Sequence, residues 1–287
     1  MPNDPIPNML SQLIKDSNIL AASQLDRFNQ KKLRLKELPS HKRIFLFFLT
    51  RTLKTFAAVE ALSKNGFSQD TSTLVRSLLE NLITVRYILM HPKTADQKAV
   101  RFVDYKWVIF KRYLPEASEN PATIKDPLRR ELFSQKDTIE KRIQEFKLKY
   151  RVISDKALVT WSGRALRDMA RMAGHGLLEE YDTTFRLASR FTHPGIIGDR
   201  EYVHYEDNAL VFSPLPSGVG VEMSMRTALK FMLQFLAIFD EEFSLGSGKE
   251  IQTLQKDFEG LPVVHNSPPA EPAPDKEKII VRFEVEK

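Results

Sequence analysis

Thr73-Leu74-Val75-Arg76-Ser77-Leu78-Leu79-Glu80-Asn81-Leu82-Ile83-Thr84-Val85-Arg86-Tyr87-Ile88-Leu89-Met90 is the stretch that decides the fold. At about 100° per residue on a helical wheel, Leu74, Leu78, Leu82, Val85 and Leu89 fill one face. Leu79, Ile83 and Tyr87 flank Arg76 and Glu80 on one side, and Thr73, Ser77 and Thr84 lie on the other. A helix that is apolar nearly all round belongs inside a protein. Arg76 and Glu80 form its thin polar seam, and buried charges need partners.

Working outward, the spacing predicts further helices. Upstream are Asn8–Glu37, closed by Pro39, and His41–Lys64, stopped by Asn65-Gly66. Downstream are Ala95–Leu114, Asp126–Tyr150, a short helix from Trp161 to Ala173, Leu177–Phe191, Gly220–Phe243 and Lys249–Phe258. The period changes to two at Glu201–Tyr205 and Ala209–Phe212, which predicts a β-hairpin around Glu206-Asp207-Asn208. The expected fold is therefore all-α (mainly): a multi-helix bundle over residues 8–258, with a short β-hairpin near 201–212. Residues 259–287 form a Pro-rich linker and a strand-like C-terminal tail. The tail's segment 278–286 needs a sheet edge to pair with. The hairpin, the same tail in a second copy and a partner protein each offer one.

The composition excludes several chemistries. There is no cysteine, so disulfides, thiolate zinc sites and cysteine nucleophiles are out. The most apolar stretch, Ile44–Leu62, carries Arg51, Lys54 and Glu60, charges that do not sit in hydrocarbon, so no membrane span is expected. The first residues, Met1-Pro2-Asn3-Asp4-Pro5, lack a basic and then apolar leader, which points to a cytoplasmic protein. No Gly-rich phosphate loop, Rossmann fingerprint or nucleophile elbow is present. No cofactor is implied. A metal at His193 and His204 is not favoured. The net charge of +6 admits an anionic partner, RNA being the candidate, while a solvated helix face explains each basic run as well.

Two polar constellations stand out. Arg101, Asp104 and Tyr105 share one face of their helix and are placed to meet Arg76 and Glu80 across the helix pair. One reading is a structural ion network of Arg76, Glu80, Arg101 and Asp104. The other is the floor of a charged pocket. Further on, Tyr181, Arg186, Ser189 and Arg190 lead to His193, where Pro194-Gly195 ends the helix. A histidine there gains from the negative end of the helix dipole, either as a simple cap or as a proton-transfer group.

The runs Thr73–Glu80 and Ala99–Tyr105, together with Trp161, Tyr181 and Ser189-Arg190-Phe191-Thr192-His193-Pro194, resemble a bacterial all-helical family of unknown function. The likeness extends over roughly Ala57–Asp240. It implies a fold and a shared polar site, not a reaction. A second, narrower resemblance is to the HEPN superfamily of helical ribonucleases and defence proteins, whose mark is an Arg followed shortly by a His. Arg186 and His193, with six residues between them, fit it. Leu187, where a polar residue is usual, departs from it, and so does a helix that is not the last. The resemblance implies a metal-independent ribonuclease of stress or phage defence, acting as a homodimer. His193 would move the proton, and Arg186 or Arg190 would hold the charge of the reacting phosphate. Two alternatives remain open. One is a non-enzymatic binding or scaffold module whose charge network is structural. The other is an anion-ligand sensor that uses Arg76 and Arg101.

Overall fold

The computed structural model of the chain describes residues 7–114, 126–153, 158–185, 203–206, 209–212 and 220–262. Within them the chain is a multi-helix bundle, and the central stretch is its hub. Helices α1 (Asn8–Gln30), α2 (Ser40–Lys64), α3 (Ser68–Leu89) and α4 (Pro92–Asp104) come first. They are followed by α5 (Lys106–Arg112), α6 (Pro127–Ser134), α7 (Lys136–Lys149), α8 (Leu166–Ala173) and α9 (Leu177–Glu180). The last two are α10 (Val221–Phe243) and α11 (Gly248–Glu259). A 3₁₀ turn covers Leu35–Glu37, and a π-helical turn covers Tyr181–Phe185.

Helix α3 packs against α2, α4, α8 and α10, as its all-round apolar pattern requires. Leu78, Leu79, Leu82 and Ile83 are fully buried there. The α2–α3–α10 layer is filled by Phe45, Phe56, Phe231, Phe235 and Phe239. α1 and α11 cover the outer side of α10. The α2–α3 corner is closed by Gly66 at φ 79°, where the Phe67 N–H reaches the Leu62 carbonyl at 3.0 Å. Only a residue without Cβ takes that conformation at no steric cost.

The predicted Asn8–Glu37 helix ends at Gln30, and Leu35–Glu37 is a separate 3₁₀ turn. Two further predicted helices are each divided. Ala95–Leu114 breaks at Tyr105, where the Val108 N–H bonds the Tyr105 carbonyl at 3.0 Å, a three-residue step. Asp126–Tyr150 breaks at Gln135, whose N–H bonds the Leu132 carbonyl at 3.1 Å. Both breaks let the short pieces fold back: α5 lies against α7, with Trp107, Phe110 and Leu114 over Leu132, Ile139 and Ile143. The predicted Trp161–Ala173 helix starts later, at Leu166, after a turn that Thr160 and Ser162 hold by bonding Arg164.

Strands β1 (Val203–Glu206) and β2 (Ala209–Phe212) pair antiparallel, with Val203 opposite Phe212 and Glu206 opposite Ala209. The strand-like tail at 278–286 and the latter part of the predicted helix ending at Phe191 lie outside the described residues. No helix among the described residues is long and apolar enough to cross a membrane.

Candidate functional site

The first constellation comes apart into two groups with one cation left over. On α3, Arg76 Nε donates to Glu80 Oε1 at 3.2 Å, one helical turn on. The Arg76 guanidinium also lies 4.2 Å from the Phe185 ring centroid, and Phe185 stacks on Tyr181 at 4.5 Å and 16°. A cation on an aromatic face gains about 0.5–2 kcal/mol according to its desolvation. The polar seam of α3 is thus the platform on which the Tyr181–Phe185 turn rests. That turn is π-helical, a conformation rare enough to be worth noting at a site. Ser189, Arg186, Arg190 and His193 follow it immediately and lie outside the described residues.

Asp104 does not reach across to Arg76 or Arg101. Its Oδ2 accepts from Lys149 Nζ at 2.9 Å and from the Tyr150 hydroxyl at 2.8 Å, both at the end of α7. The bond from Asp104 holds the Lys149 ammonium above its ordinary pKa. Burial, then the bond to Asp104, pushes the Tyr150 phenol up. Tyr105 serves another purpose: its hydroxyl points at the Leu158 and Val159 carbonyls, 2.6 and 2.8 Å away, and accepts from Arg112 at 2.8 Å. Burial raises this phenol too. Asp104 and Tyr105 therefore tie α4 to α7 and to the 158–165 segment. The four-residue network that the wheel suggests is not formed as one unit.

Arg101 is what remains. It is partly buried, its Nε is fully buried, and that Nε has no hydrogen-bond acceptor among the described residues. Its guanidinium makes no ion pair among the described residues. It lies 5.2 Å from the Tyr150 ring centroid and 6.0 Å from that of Phe146. On another side is Gly163, at φ +72°, where an added Cβ would meet Arg101 Nη2 at 3.3 Å. Leaving a buried donor unsatisfied costs about 1–3 kcal/mol, more for a charged group. The ring contacts recover part of that and supply no acceptor. Arg86 also has a buried Nε with no acceptor among the described residues, and burial lowers its pKa, but there the Glu241 charge on α10 acts against the loss.

Comparison with known proteins bears on the same region. Residues 42–209, more than half of the chain, match the family of unknown function DUF5677. The chain belongs to DUF5677. Neither a curated protein nor a solved structure matches it. The DUF5677 match spans α2 to β2, and so includes the Arg76 platform, Arg101 with its ring neighbours, and the segment 186–193.

Several residues of this DUF5677 region were missed on the sequence. Phe146 read as part of the packing stripe of a charged helix, Tyr150 as that helix's end, and Gly163 as a helix start. Lys98, one turn before Arg101, donates to the Tyr87 carbonyl at 2.8 Å and sits 4.5 Å over the Tyr87 ring. Its spacing of i, i+3 to Arg101 was the available signal. Among the described residues no group of three His, Asp or Glu side chains is placed to hold a metal ion.

Proposed function

We propose that the protein is a helical anion-binding module, a sensor or carrier of a small anionic ligand, with Arg101 as the anchor. One observation carries this: a guanidinium whose buried Nε has no acceptor among the described residues, beside a carboxylate, Asp104, that is already engaged by Lys149 and Tyr150. In a purely structural network each buried charge is paired, because an unpaired one costs more than it returns. A planar guanidinium with free donors suits the oxygens of a carboxylate, sulfate or phosphate. Arg76, held by Glu80 and Phe185, is assigned to positioning the Tyr181–Phe185 turn and not to the ligand.

The test is thermal unfolding in low-salt buffer with sulfate, phosphate, citrate or acetate added against chloride. A ligand that binds the folded state raises the unfolding temperature by mass action. At least one anion is expected to raise it for wild type and not for Arg101→Met. Equal shifts in both proteins, or none in wild type, would reject the assignment.

The ribonuclease reading of Arg186, Arg190 and His193, with RNA as substrate, a homodimer as the working form and phage defence as the setting, is a separate proposal. It is supported by the Arg–His spacing alone and is tested by RNA cleavage in EDTA, wild type against His193→Ala. The pairing of tail residues 278–286 with a sheet edge is likewise a proposal, tested by deleting the tail.

A further inference from the structure

We propose that Lys98, Arg101 and Arg164 together form a site for a phosphate group, carried by the ligand as a phosphomonoester dianion. This deepens the anion-binding reading and rests on it. Lys98 and Arg101 are one turn apart on α4. Gly163 brings the 158–165 segment against Arg101, with only 3.3 Å between Arg101 Nη2 and the Cβ position at Gly163. Arg164 is the next residue. Its backbone is fixed by its neighbours: its N–H donates to Ser162 Oγ at 3.1 Å, and its carbonyl accepts from Thr160 Oγ1 at 2.9 Å.

The three cations have no carboxylate among the described residues. Lys98 bonds a backbone carbonyl, and neither Arg101 nor Arg164 has an ion pair with a described residue. Acids on the same and adjoining elements are engaged elsewhere: Glu80 with Arg76, Asp96 with His41, Asp104 with Lys149, and Asp168 with Arg171. Burial, and then the like charge of Arg164, hold the Lys98 ammonium below its ordinary pKa. Lys98 and Arg164 feel each other's like charge, and Arg101 lies against Gly163, the residue before Arg164; such an excess of positive charge fits a doubly charged oxyanion better than a monoanion. A phosphate supplies three terminal oxygens for guanidinium and ammonium donors. Gly163 keeps a side chain out of the space next to Arg101, and Trp161, with ring centroids 5.8 Å from Tyr87 and 5.3 Å from Phe102, walls the same segment.

Calorimetric titration of the full chain at low ionic strength tests this with inorganic phosphate, AMP, acetate, and an RNA oligonucleotide bearing either a 5′-phosphate or a 5′-hydroxyl. Phosphate or AMP, or the 5′-phosphorylated RNA over its hydroxyl twin, is expected to bind at least about tenfold tighter than acetate. Arg164→Ala and Lys98→Met are each expected to weaken binding roughly tenfold, the loss of one hydrogen bond to a charged group. Arg164 is exposed, so its variant keeps the fold. Preference for AMP marks a free nucleotide as the source, and preference for the 5′-phosphorylated RNA marks a strand end. Acetate binding as well as phosphate, or both variants binding like wild type, overturns the phosphate assignment while leaving the Arg101 anion site standing. No binding by wild type to any probe overturns both.

Discussion

Arg101 separates the functional from the structural interpretation of this chain. If its charge served only the fold, removing it would be costly, since breaking a buried pair strands the partner. Among the described residues its Nε has no acceptor and its neighbour Asp104 is engaged by Lys149, so no partner there is stranded. Arg101→Met is therefore expected to leave stability unchanged or raise it by about 1 kcal/mol, the cost of the unsatisfied donor being removed. Chemical denaturation of the two proteins measures it, and a loss above about 2 kcal/mol contradicts the assignment. Gly163 is expected to behave oppositely. At φ +72° a Cβ is strained, and at 3.3 Å from Arg101 Nη2 it crowds the guanidinium. Gly163→Ala should cost about 1–2 kcal/mol from the backbone conformation alone and also weaken anion binding. Arg76 and Glu80 were legible in the sequence as a polar seam, Arg101 and Asp104 as one face of the next helix, and Tyr181 as the start of a second polar constellation. Which of them pair was not, because a wheel gives angular position and says nothing of what lies opposite. Lys149 and Tyr150 are distant in sequence from Asp104, and only the fold of α7 brings them to it.

At the level of elements, helix positions were readable and their interruptions were not. Tyr105 and Gln135 carry no proline or glycine signal. The helices turn there because α5 and α7 bury short stripes against each other, a tertiary effect that periodicity within one segment does not record. The start of α2 shows another such contact. No side chain of its own helix caps the first N–H groups of α2. Asp96, from α4, takes the His41 N–H at 3.0 Å and the His41 Nδ1 at 2.9 Å. The carboxyl of Asp96 is held below its ordinary value of 3.8, first by that backbone N–H. Its folded form thus gives up the proton at lower pH than the unfolded chain does. The contribution is complete above pH 3.8 and is lost as pH falls through the lower folded value. Asp96→Ala should cost about 1 kcal/mol at neutral pH, as a lost cap. The gap from wild type should close in acid. A gap that persists at pH 2 to 3, measured by urea unfolding at each pH, would argue against the cap.

For the whole molecule, the central helix organises both stability and site. α3 is surrounded by α2, α4, α8 and α10, so the seam at Arg76 and the turn at Tyr181–Phe185 are set by the same packing that buries Leu78 and Leu82. Phe235 is fully buried and meets Phe45 across the core at 6.5 Å. Phe235→Ala is expected to cost about 3–5 kcal/mol, seen as a fall in unfolding midpoint, with anion affinity unchanged wherever the variant stays folded. The all-helical bundle was readable from hydrophobic period alone, because a helix apolar on every side has few places to go. The net charge of +6 was equally visible, but not that the 158–165 segment, which carries Arg164, comes against Arg101 on α4 at Gly163. The most direct measurement is the ¹H–¹⁵N spectrum of the arginine Nε–H groups during titration with inorganic phosphate, with the Arg101 signal assigned by its absence in Arg101→Met. A protected Arg101 resonance that shifts saturably while that of Arg86 stays still is the expected result. An Arg101 resonance unmoved by phosphate, sulfate and AMP alike would contradict an anion site at this residue.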